Sequence, residues 1–235
     1  AGLLAIQYIG AVTVAIDKYA KPENIRDIWE MTQADIFLVD GKKLPEEIKT
    51  ASLKQLYEGA AEVQEQIVYE LPGERDLCEL IFTTGTTGKP KGAMLSYRCI
   101  HANMLNTCRG IGMREDDIVL NPLPLNHSFG MRVLRSTLFL GATVVLQNGF
   151  TFAKEIETNI EQHHCTAMVC VPASIEVIYR QMQERFSPVI GQLRYIEFSA
   201  GSVSVDMKKK LLAILPDTQL FNTWGSTETG GAVFF

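Results

Sequence analysis

Residues 82–92 read Phe82-Thr83-Thr84-Gly85-Thr86-Thr87-Gly88-Lys89-Pro90-Lys91-Gly92 and continue a short run of strand-forming residues. The segment holds four threonines, three glycines and two lysines. Glycines let backbone N–H groups approach phosphate oxygens, threonine hydroxyls donate further hydrogen bonds, and lysine offers a positive charge. An ordinary polar turn uses only one or two such residues. The segment therefore predicts a loop that binds a polyphosphate.

The Walker nucleotide loop, G-x-x-x-x-G-K-S/T, is the main alternative for a glycine-rich phosphate loop. The sequence excludes it, because Pro90 follows Gly88-Lys89 and no glycine stands at the first position of the pattern. Pro90 also opposes a helix that starts at Lys89, so phosphate would not lie at a helix N-terminus there.

The rest of the chain alternates short β-rich runs with amphipathic stretches. We expect strands at residues 11–16, 36–39, 80–83, 142–146, 167–171, 195–198 and 219–221. We expect helices at residues 22–31, 53–63, 96–107, 129–140, 152–163 and 207–215, and one that begins at residue 172. Such alternation implies an α/β fold with layered parallel sheets, in which ligands lie beyond the carboxyl ends of the strands. The loops after Phe82, Ala200 and Trp224 are therefore the places to look for a site.

Composition narrows the class of protein. The 235 residues include 46% hydrophobic and 21% charged side chains, an ordinary balance for a globular domain. The net charge of −5 argues against non-specific binding to nucleic acid or to anionic membranes. No apolar run approaches the about 20 residues that span a bilayer. Five scattered cysteines without a C-x-x-C pair favour reduced thiols in a cytoplasmic protein.

Residues 82–92 resemble the signature of the adenylate-forming superfamily, close to Y/F-T/S-S/T-G-S/T-T-G-x-P-K-G, at every position. This superfamily comprises acyl-CoA synthetases, peptide-synthetase adenylation domains and luciferases. The resemblance implies the layered parallel-sheet N-terminal domain of the acyl-CoA synthetase type. It also implies ATP-dependent activation of a carboxylate as its acyl-AMP.

A second segment, residues 222–228, resembles the superfamily pattern N-x-Y/W-G-x-T-E. Its residue types suit a nucleotide, because an aromatic ring stacks on adenine and an Asn amide hydrogen-bonds its amino edge. A carboxylate such as that of Glu228 can hold Mg²⁺. The alternative is a plain strand end, with Trp224 in the core and Glu228 satisfied by protein groups.

Three weaker segments support the same resemblance. Residues 199–202 resemble the glycine-rich turn that borders adenine, and residues 124–130 resemble P-x-x-H-x-x-G, in which the His lies beside the carboxylate. Residues 10–17 resemble G-A-x-x-V-P-x-D, with Ala15 where Pro is usual. The resemblance therefore covers residues 10–231 in the order of the superfamily.

The resemblance implies a role for each matching residue. The β- and γ-phosphates are assigned to Thr83, Thr84, Gly85, Thr86, Thr87, Gly88 and Lys91. The adenine is assigned to Asn222 and Trp224, with Thr223 and Gly225 in the same nucleotide-binding segment and Gly201 and Ser202 along its edge. Mg²⁺ is assigned to Glu228, with the Thr83 hydroxyl as a second ligand. Catalytic roles are assigned to Glu228, Lys91, Thr227 at the α-phosphate and His127 at the reacting carboxylate.

Two functional residues of the superfamily have no counterpart here: a ribose-binding Asp downstream of Glu228 and a Lys of the small C-terminal domain. The chain also lacks an initiator Met and stops at Phe235. We therefore expect residues 1–235 to form part of the large N-terminal domain, without the small C-terminal domain and with little ligase activity alone.

The resemblance favours a long- or medium-chain fatty acid–CoA ligase that uses ATP and Mg²⁺, with coenzyme A as thiol acceptor. The hydrophobic helix expected at residues 129–140 would suit an apolar acyl pocket. An adenylation domain of a peptide synthetase, which would pass the acyl group to a carrier-protein pantetheine, is the nearest alternative. The Asp that such a domain uses to hold an amino group cannot be located near Ser199. A non-catalytic nucleotide-binding module is the alternative from another class.

Overall fold

A computed structural model describes residues 2–39, 44–62, 70–84 and 90–234. The chain divides into two compact units, residues 1–94 and residues 95–235. Within the described residues, no helix has both the length and the apolar character that crossing a membrane requires. All five cysteines are free thiols, and burial raises the pKa of Cys165 to about 11, which keeps that thiol protonated.

The first unit is built on a small mixed set of strands and helices. Its helices are α1 (Gly2–Tyr8), α2 (Pro22–Thr32) and α3 (Leu53–Glu62). Its strands are β1 (Thr13–Ala15), β2 (Phe37–Leu38), β3 (Thr50–Ala51), β4 (Leu77–Thr84) and β5 (Pro90–Ser96), whose last two residues belong to the second unit. In one sheet β4 lies between β1 and β5, and β1 runs parallel to β4 with Val14 opposite Leu80. Strands β2 and β3 form a separate parallel pair.

The second unit is a five-stranded parallel sheet with helices on both faces. Its strands are β6 (Ile118–Asn121), β7 (Thr143–Leu146), β8 (Ala167–Cys170), β9 (Tyr195–Phe198) and β10 (Gln219–Asn222). Its helices are α4 (Tyr97–Ile111), α5 (Ser128–Phe139), α6 (Ala153–His163), α7 (Pro172–Met182), α8 (Phe186–Ile190) and α9 (Val205–Ile214). The strand order is β10-β9-β8-β6-β7, with every pair parallel. An antiparallel hairpin of β11 (Trp224–Ser226) and β12 (Gly231–Phe234) follows the sheet.

The two faces of this sheet are packed against separate cores because neighbouring strand residues point in opposite directions. On β9, Ile196 packs into a cluster with Ile160 and Ile178 from helices α6 and α7. Its neighbour Tyr195 packs into a second cluster that includes Val133 of α5. Both faces are thus buried by helices, which is the arrangement expected of an all-parallel sheet.

Local signals explain where several elements begin and end. The hydroxyl of Ser96 accepts a hydrogen bond from the Cys99 N–H at 3.2 Å and caps α4. Helix α4 runs four residues beyond its expected end at residue 107, to Ile111, and is capped by Gly112, which adopts a left-handed φ of 65°. Ser204 caps α9 in the same way, through the Met207 N–H at 3.2 Å.

The sequence-based expectation of an α/β fold with a parallel sheet is confirmed, and the expected strands and helices each have a counterpart among the described residues. Elements that the sequence pattern missed are α1, β3, β5, β6, α8 and the β11–β12 hairpin. Helix α1 has only seven residues, too few to show a helical period, and β5 contains Pro90, Lys91 and Gly92, residue types that are depleted in strands. Strand β6 reads Ile-Val-Leu-Asn between the charged residues 114–117 and Pro122, and it shows no alternation of apolar and polar residues.

Candidate functional site

Three of the expected site segments follow the carboxyl ends of strands in the five-stranded sheet. The His127 segment follows β6, residues 199–202 follow β9, and residues 222–224 begin at the last residue of β10. Because these strands are parallel, the three segments share one edge of the sheet. Chain order reverses between β6 and β8, with β7 on one side and β8 to β10 on the other. Ligands of such sheets bind beyond this edge, at the reversal.

The segment after β6 is held by the buried amide of Asn121. This amide donates to the Gly130 carbonyl at 3.0 Å and accepts from the Leu123 N–H at 3.2 Å. A Cβ on Gly130 would lie 2.4 Å from the Pro124 carbonyl oxygen, so no side chain fits at this position. His127 stands at the N-cap of α5, with an exposed ring that makes no capping hydrogen bond. The imidazole is therefore left available at the carboxyl edge.

The turn after β9 is strained and tied to the neighbouring strand. Ala200 adopts a left-handed φ of 62°, which is unusual for a residue with a side chain. The Ser199 hydroxyl donates to the Thr223 carbonyl at 3.1 Å. Gly201 and Ser202 are exposed. The two residues assigned to the adenine edge thus stand at the surface, on a turn attached to the segment that follows β10.

Thr223 differs from its neighbours, because its side chain is turned into the protein. Its hydroxyl donates to the Glu197 carboxylate at 2.8 Å, and Glu197 in turn forms a fully buried ion pair with Arg132 of α5. This hydroxyl is committed within the protein, and we infer that Thr223 serves a site by placing the flanking exposed residues Asn222 and Trp224. Neither Arg132 nor Glu197 belongs to a motif that the sequence revealed.

The Trp224 indole is 61% exposed, so the alternative of a core tryptophan is wrong. Its ring lies 5.7 Å from the Phe234 ring, at a tilt of 42°, across the β11–β12 hairpin. A Cβ on Gly225 would lie 1.9 Å from the Gly231 carbonyl oxygen, so the hairpin requires glycine there. Trp224 therefore offers an aromatic face at the carboxyl edge.

Glu228 lies in a single turn of 3₁₀-helix, Thr227–Thr229, between β11 and β12. Its carboxylate is exposed, and hydrogen bonds from its own backbone N–H and from the Ser226 hydroxyl lower its pKa. An accessible carboxylate that stays ionised fits a divalent cation, because Mg²⁺ takes one or two protein carboxylates together with substrate phosphates. Among the described residues, no cluster of three His, Cys, Asp or Glu side chains competes as a metal site.

The phosphate segment belongs to the first unit, where strands β4 and β5 flank it. The Thr83 hydroxyl donates to the Lys91 carbonyl at 3.4 Å, so the structure brings these two assigned residues together. A Cβ on Gly92 would lie 3.2 Å from the Phe82 ring, which explains the glycine at the end of the motif. Thr84 is the last residue of β4, and the side chain of Thr84 and the assigned residues Gly85, Thr86, Thr87 and Gly88 lie outside the described residues.

Helix α5, which the sequence suggested for an apolar acyl pocket, turns several of its side chains into the core. Phe129 and Val133 of this helix pack into the core against the sheet, and Arg132 is fully buried in the same helix. The buried polar residues of α5 were visible in the sequence as interruptions of its apolar pattern. Helix α5 is thus largely a core helix, and its Arg132 pairs with Glu197 of β9.

Comparison with known proteins identifies the family. The family model described as AMP-binding enzyme matches residues 1–235. The 2-succinylbenzoate–CoA ligase of Bacillus thuringiensis subsp. konkukian (strain 97-27) is 26% identical over 233 residues, which cover 97% of this chain and 46% of that protein. The chloroplastic/peroxisomal 2-succinylbenzoate–CoA ligase of Arabidopsis thaliana is 30% identical over 161 residues, covering 68% of this chain and 29% of that protein. The chain thus spans about half or less of the length of these curated relatives.

Solved structures share the fold. The O-succinylbenzoate coenzyme A synthetase of Bacillus subtilis, in complex with AMP, superimposes with a TM-score of 0.84 at 21% identity, over 98% of this chain and 58% of that chain. The N-terminal subdomain of Klebsiella oxytoca NpsA, in complex with 3-hydroxybenzoyl-AMSN, gives a TM-score of 0.81 at 20% identity, over 98% and 57% of the two chains. By the match of the family model over its whole length, this chain belongs to the AMP-binding enzyme family.

Proposed function

We propose that this chain supplies the ATP-binding part of an AMP-forming acid–thiol ligase, which converts a carboxylic acid to its acyl-AMP and then to a thioester. The observation that carries the proposal is that Trp224 and Glu228, four residues apart in the chain, are both exposed after β10, in a sequence that also holds the full phosphate signature at residues 82–92. The B. subtilis enzyme of the same fold, solved in complex with ATP and magnesium ion, supports the choice of nucleotide and cation.

The proposed division of labour follows the residue assignments. Thr83, Thr84, Gly85, Thr86, Thr87, Gly88 and Lys91 bind the β- and γ-phosphates. Asn222 and Trp224 hold adenine, and Gly201 and Ser202 border it. Gly225 allows the close approach of the two strands of the β11–β12 hairpin. Glu228 holds Mg²⁺, with the Thr83 hydroxyl as second ligand, and Thr227 contacts the α-phosphate. His127 faces the reacting carboxylate.

In the proposed reaction a carboxylate oxygen attacks the α-phosphorus of ATP in line, and pyrophosphate leaves. The nucleophile is already anionic, so the protein needs no general base and contributes mainly by positioning and by neutralising charge. Bound Mg²⁺ supplies positive charge at the phosphate oxygens. In the second step a thiol sulfur attacks the acyl carbon, the thiol proton is lost to solvent, and AMP leaves.

For the acid, we propose an aromatic carboxylate as the first candidate. The ligases to which the chain is similar are named for 2-succinylbenzoate, which carries a benzene ring and carboxyl groups. The preference for a long- or medium-chain fatty acid, expected from the sequence, finds no support in these relatives or in the packing of α5. Coenzyme A is the proposed thiol acceptor, and a carrier-protein pantetheine remains the alternative. The cytoplasmic location and the lack of nucleic-acid binding stay predictions.

Pyrophosphate exchange by the full-length protein tests the proposal, with 2-succinylbenzoate, fatty acids of increasing length and amino acids as substrates. The variant Glu228→Ala should lose about a hundredfold or more of the exchange rate, because charge at the phosphates is no longer neutralised. Its melting temperature should not change, since the carboxylate is exposed. The matched control is Glu184→Ala, another exposed glutamate, which should retain full activity.

The alternatives predict different results. Exchange with amino acids alone would favour a peptide-synthetase adenylation domain. ATP binding without exchange for any acid would favour a non-catalytic nucleotide-binding module and would reject the ligase. We expect residues 1–235 alone to show little or no exchange, since the ribose-binding Asp and the catalytic Lys that the resemblance implies have no counterpart among these residues.

A further inference from the structure

We propose that Asn103, a residue of helix α4, is a positioning residue that sets the affinity of the Glu228 turn for magnesium-bound nucleotide. This inference rests on the function proposed above. Asn103 is 7% exposed, and its amide nitrogen donates hydrogen bonds to two backbone carbonyls, those of Thr229 at 3.2 Å and Ala232 at 2.9 Å. These carbonyls follow Glu228 in the chain and lie on either side of Gly230 and Gly231, where the turn ends and β12 begins.

The turn has its own internal hydrogen bonds, which shape it. The Thr229 hydroxyl accepts from the Ser226 N–H at 3.2 Å and lies 2.8 Å from the Gly231 carbonyl, to which it can donate. Gly230 closes the turn in the left-handed region, at a φ of 72°. These contacts span only a few residues, so they define the shape of the turn without fixing it to the rest of the unit. The Asn103 amide provides such a fixation, across 126 positions of sequence.

Packing leaves the turn little freedom to settle elsewhere. Gly231 has a φ of 139°, and a Cβ there would lie 2.5 Å from Cδ of the buried Arg132 and 3.0 Å from the Asn103 amide oxygen. The backbone after Glu228 therefore lies directly on side chains of α4 and α5. A small shift of α4 would be transmitted to this backbone.

Position 103 requires a side chain with two N–H donors, one for each of the two carbonyls. The Asn103 oxygen is buried and has no hydrogen-bond partner among the described residues, whereas both hydrogen bonds that define its contact with the turn come from the nitrogen. Aspartate has the same shape but only acceptor oxygens when ionised, and would place negative charge against two carbonyls. Asn103→Asp therefore tests the donors while it preserves the volume.

Helix α4 is also the first helix after the phosphate segment in the chain, since it follows β5 directly. Helix α4, which follows the phosphate segment in the chain, thus forms hydrogen bonds to the backbone that follows Glu228. Groups that orient a metal ligand without touching the metal commonly change metal affinity by about 10- to 100-fold when they are removed. We expect an effect of that size from Asn103.

The experiment measures ATP binding to the full-length protein by calorimetry over a series of Mg²⁺ concentrations, for Asn103→Asp and for Asn103→Ala. Both variants should bind ATP with Mg²⁺ roughly 10- to 100-fold more weakly, and should bind AMP without metal as the unaltered protein does. Hydrogen–deuterium exchange of residues 226–232 should be faster in both. The matched control is Asn106→Asp, the same change at an exposed position of α4, which should alter neither quantity.

Each result separates this inference from the proposed function. If the unaltered protein binds ATP with no dependence on Mg²⁺, the proposed function fails, and this inference fails with it. If the unaltered protein depends on Mg²⁺ but the folded Asn103→Ala variant keeps the same dependence, only the role of Asn103 is rejected. An equal loss of AMP and ATP binding would also reject it, because a merely structural role affects both nucleotides. Should Asn103→Asp fail to fold, Asn103→Ala alone decides.

Discussion

The two edges of the five-stranded sheet use polar side chains in opposite ways. At the amino edge, the residues just before β6, β8 and β9 pair with one another: buried Asp117 binds Arg194 through both carboxylate oxygens and accepts the Thr166 hydroxyl at 2.8 Å. At the carboxyl edge, Trp224 and Glu228 are exposed, and the buried polar groups hold the backbone beneath them. Asp117 at the amino edge is thus committed to protein partners, whereas Glu228 at the carboxyl edge is exposed to solvent.

This difference matters for choosing a site. A pocket of about 300 Å³ lies at the amino edge, lined by Arg114, Asp117 and Arg194 among others. The backbone N–H of Arg114 donates to Asp117 at 2.7 Å, so the buried carboxylate of this pocket is already bonded to protein groups. The nucleotide site is nevertheless assigned to the carboxyl edge. The chemistry of the exposed groups there and the direction of the parallel strands both favour that edge. In this molecule, the shape of a pocket is weaker evidence for a nucleotide site than the chemistry of the exposed side chains.

The largest expected effect concerns the buried ion pair below the carboxyl edge. Glu197→Ala should lower the free energy of unfolding by about 3–5 kcal/mol, because it leaves the Arg132 guanidinium buried without its partner. Urea denaturation measures this loss. The double variant Arg132→Met with Glu197→Leu should recover most of the stability, since it removes both charges. A loss below about 1 kcal/mol for Glu197→Ala would contradict the role given to this pair.

The matching test at the amino edge is Asp117→Ala. We expect a loss of about 2 kcal/mol, smaller than for Glu197 because the Arg194 side chain is 23% exposed and can be hydrated. The affinity for ATP with Mg²⁺, measured by calorimetry at a temperature where the variant is folded, should be unchanged. A selective loss of nucleotide binding in this variant would break the distinction between the two edges.

A third prediction compares two glycines of the carboxyl edge. Gly130→Ala should lower the free energy of unfolding by about 1–3 kcal/mol, because the added methyl meets the backbone oxygen of Pro124 and the backbone must move. Gly201→Ala is the control, with its Cβ at an ordinary 3.4 Å from the Pro172 ring, and should change stability by less than about 0.5 kcal/mol. Equal effects in thermal denaturation would show that the β6–α5 loop adapts freely.

The smallest effect concerns pH. The backbone N–H of Glu228 and the Ser226 hydroxyl lower the pKa of the Glu228 carboxyl, so the group stays ionised to lower pH than an ordinary glutamate. Ser226→Ala removes one donor and raises this pKa, and the decline of ATP binding with Mg²⁺ on acidification should therefore begin at a higher pH. Ser226→Thr keeps a hydroxyl and should behave as the unaltered protein. The prediction would be contradicted if ATP binding with Mg²⁺ declined at the same pH in the unaltered protein and in both variants.

The sequence predicted most of the candidate site residues, but it did not predict the buried residues that hold them in place. The segments at residues 124–130, 199–202 and 222–228 stand out because their composition is unusual over a few consecutive positions. Asn103, Arg132 and Glu197 are single polar residues in otherwise ordinary elements. Their partners lie far away in sequence, with 126 positions between Asn103 and Thr229 and 65 between Arg132 and Glu197. A pattern within a short window cannot reveal a pair of this kind.

The sequence by itself determined the class of fold, most of the strands and helices, the start of α4 at Ser96 and the family, because periodicity, capping and motif composition are properties of neighbouring residues. Only the tertiary structure decided the strand order, the burial of Thr223, the exposure of Trp224 and the hydrogen bonds of Asn103 to the Glu228 turn. Burial and long-range pairing arise when distant segments pack together and exclude water, and no local stretch of sequence carries that information.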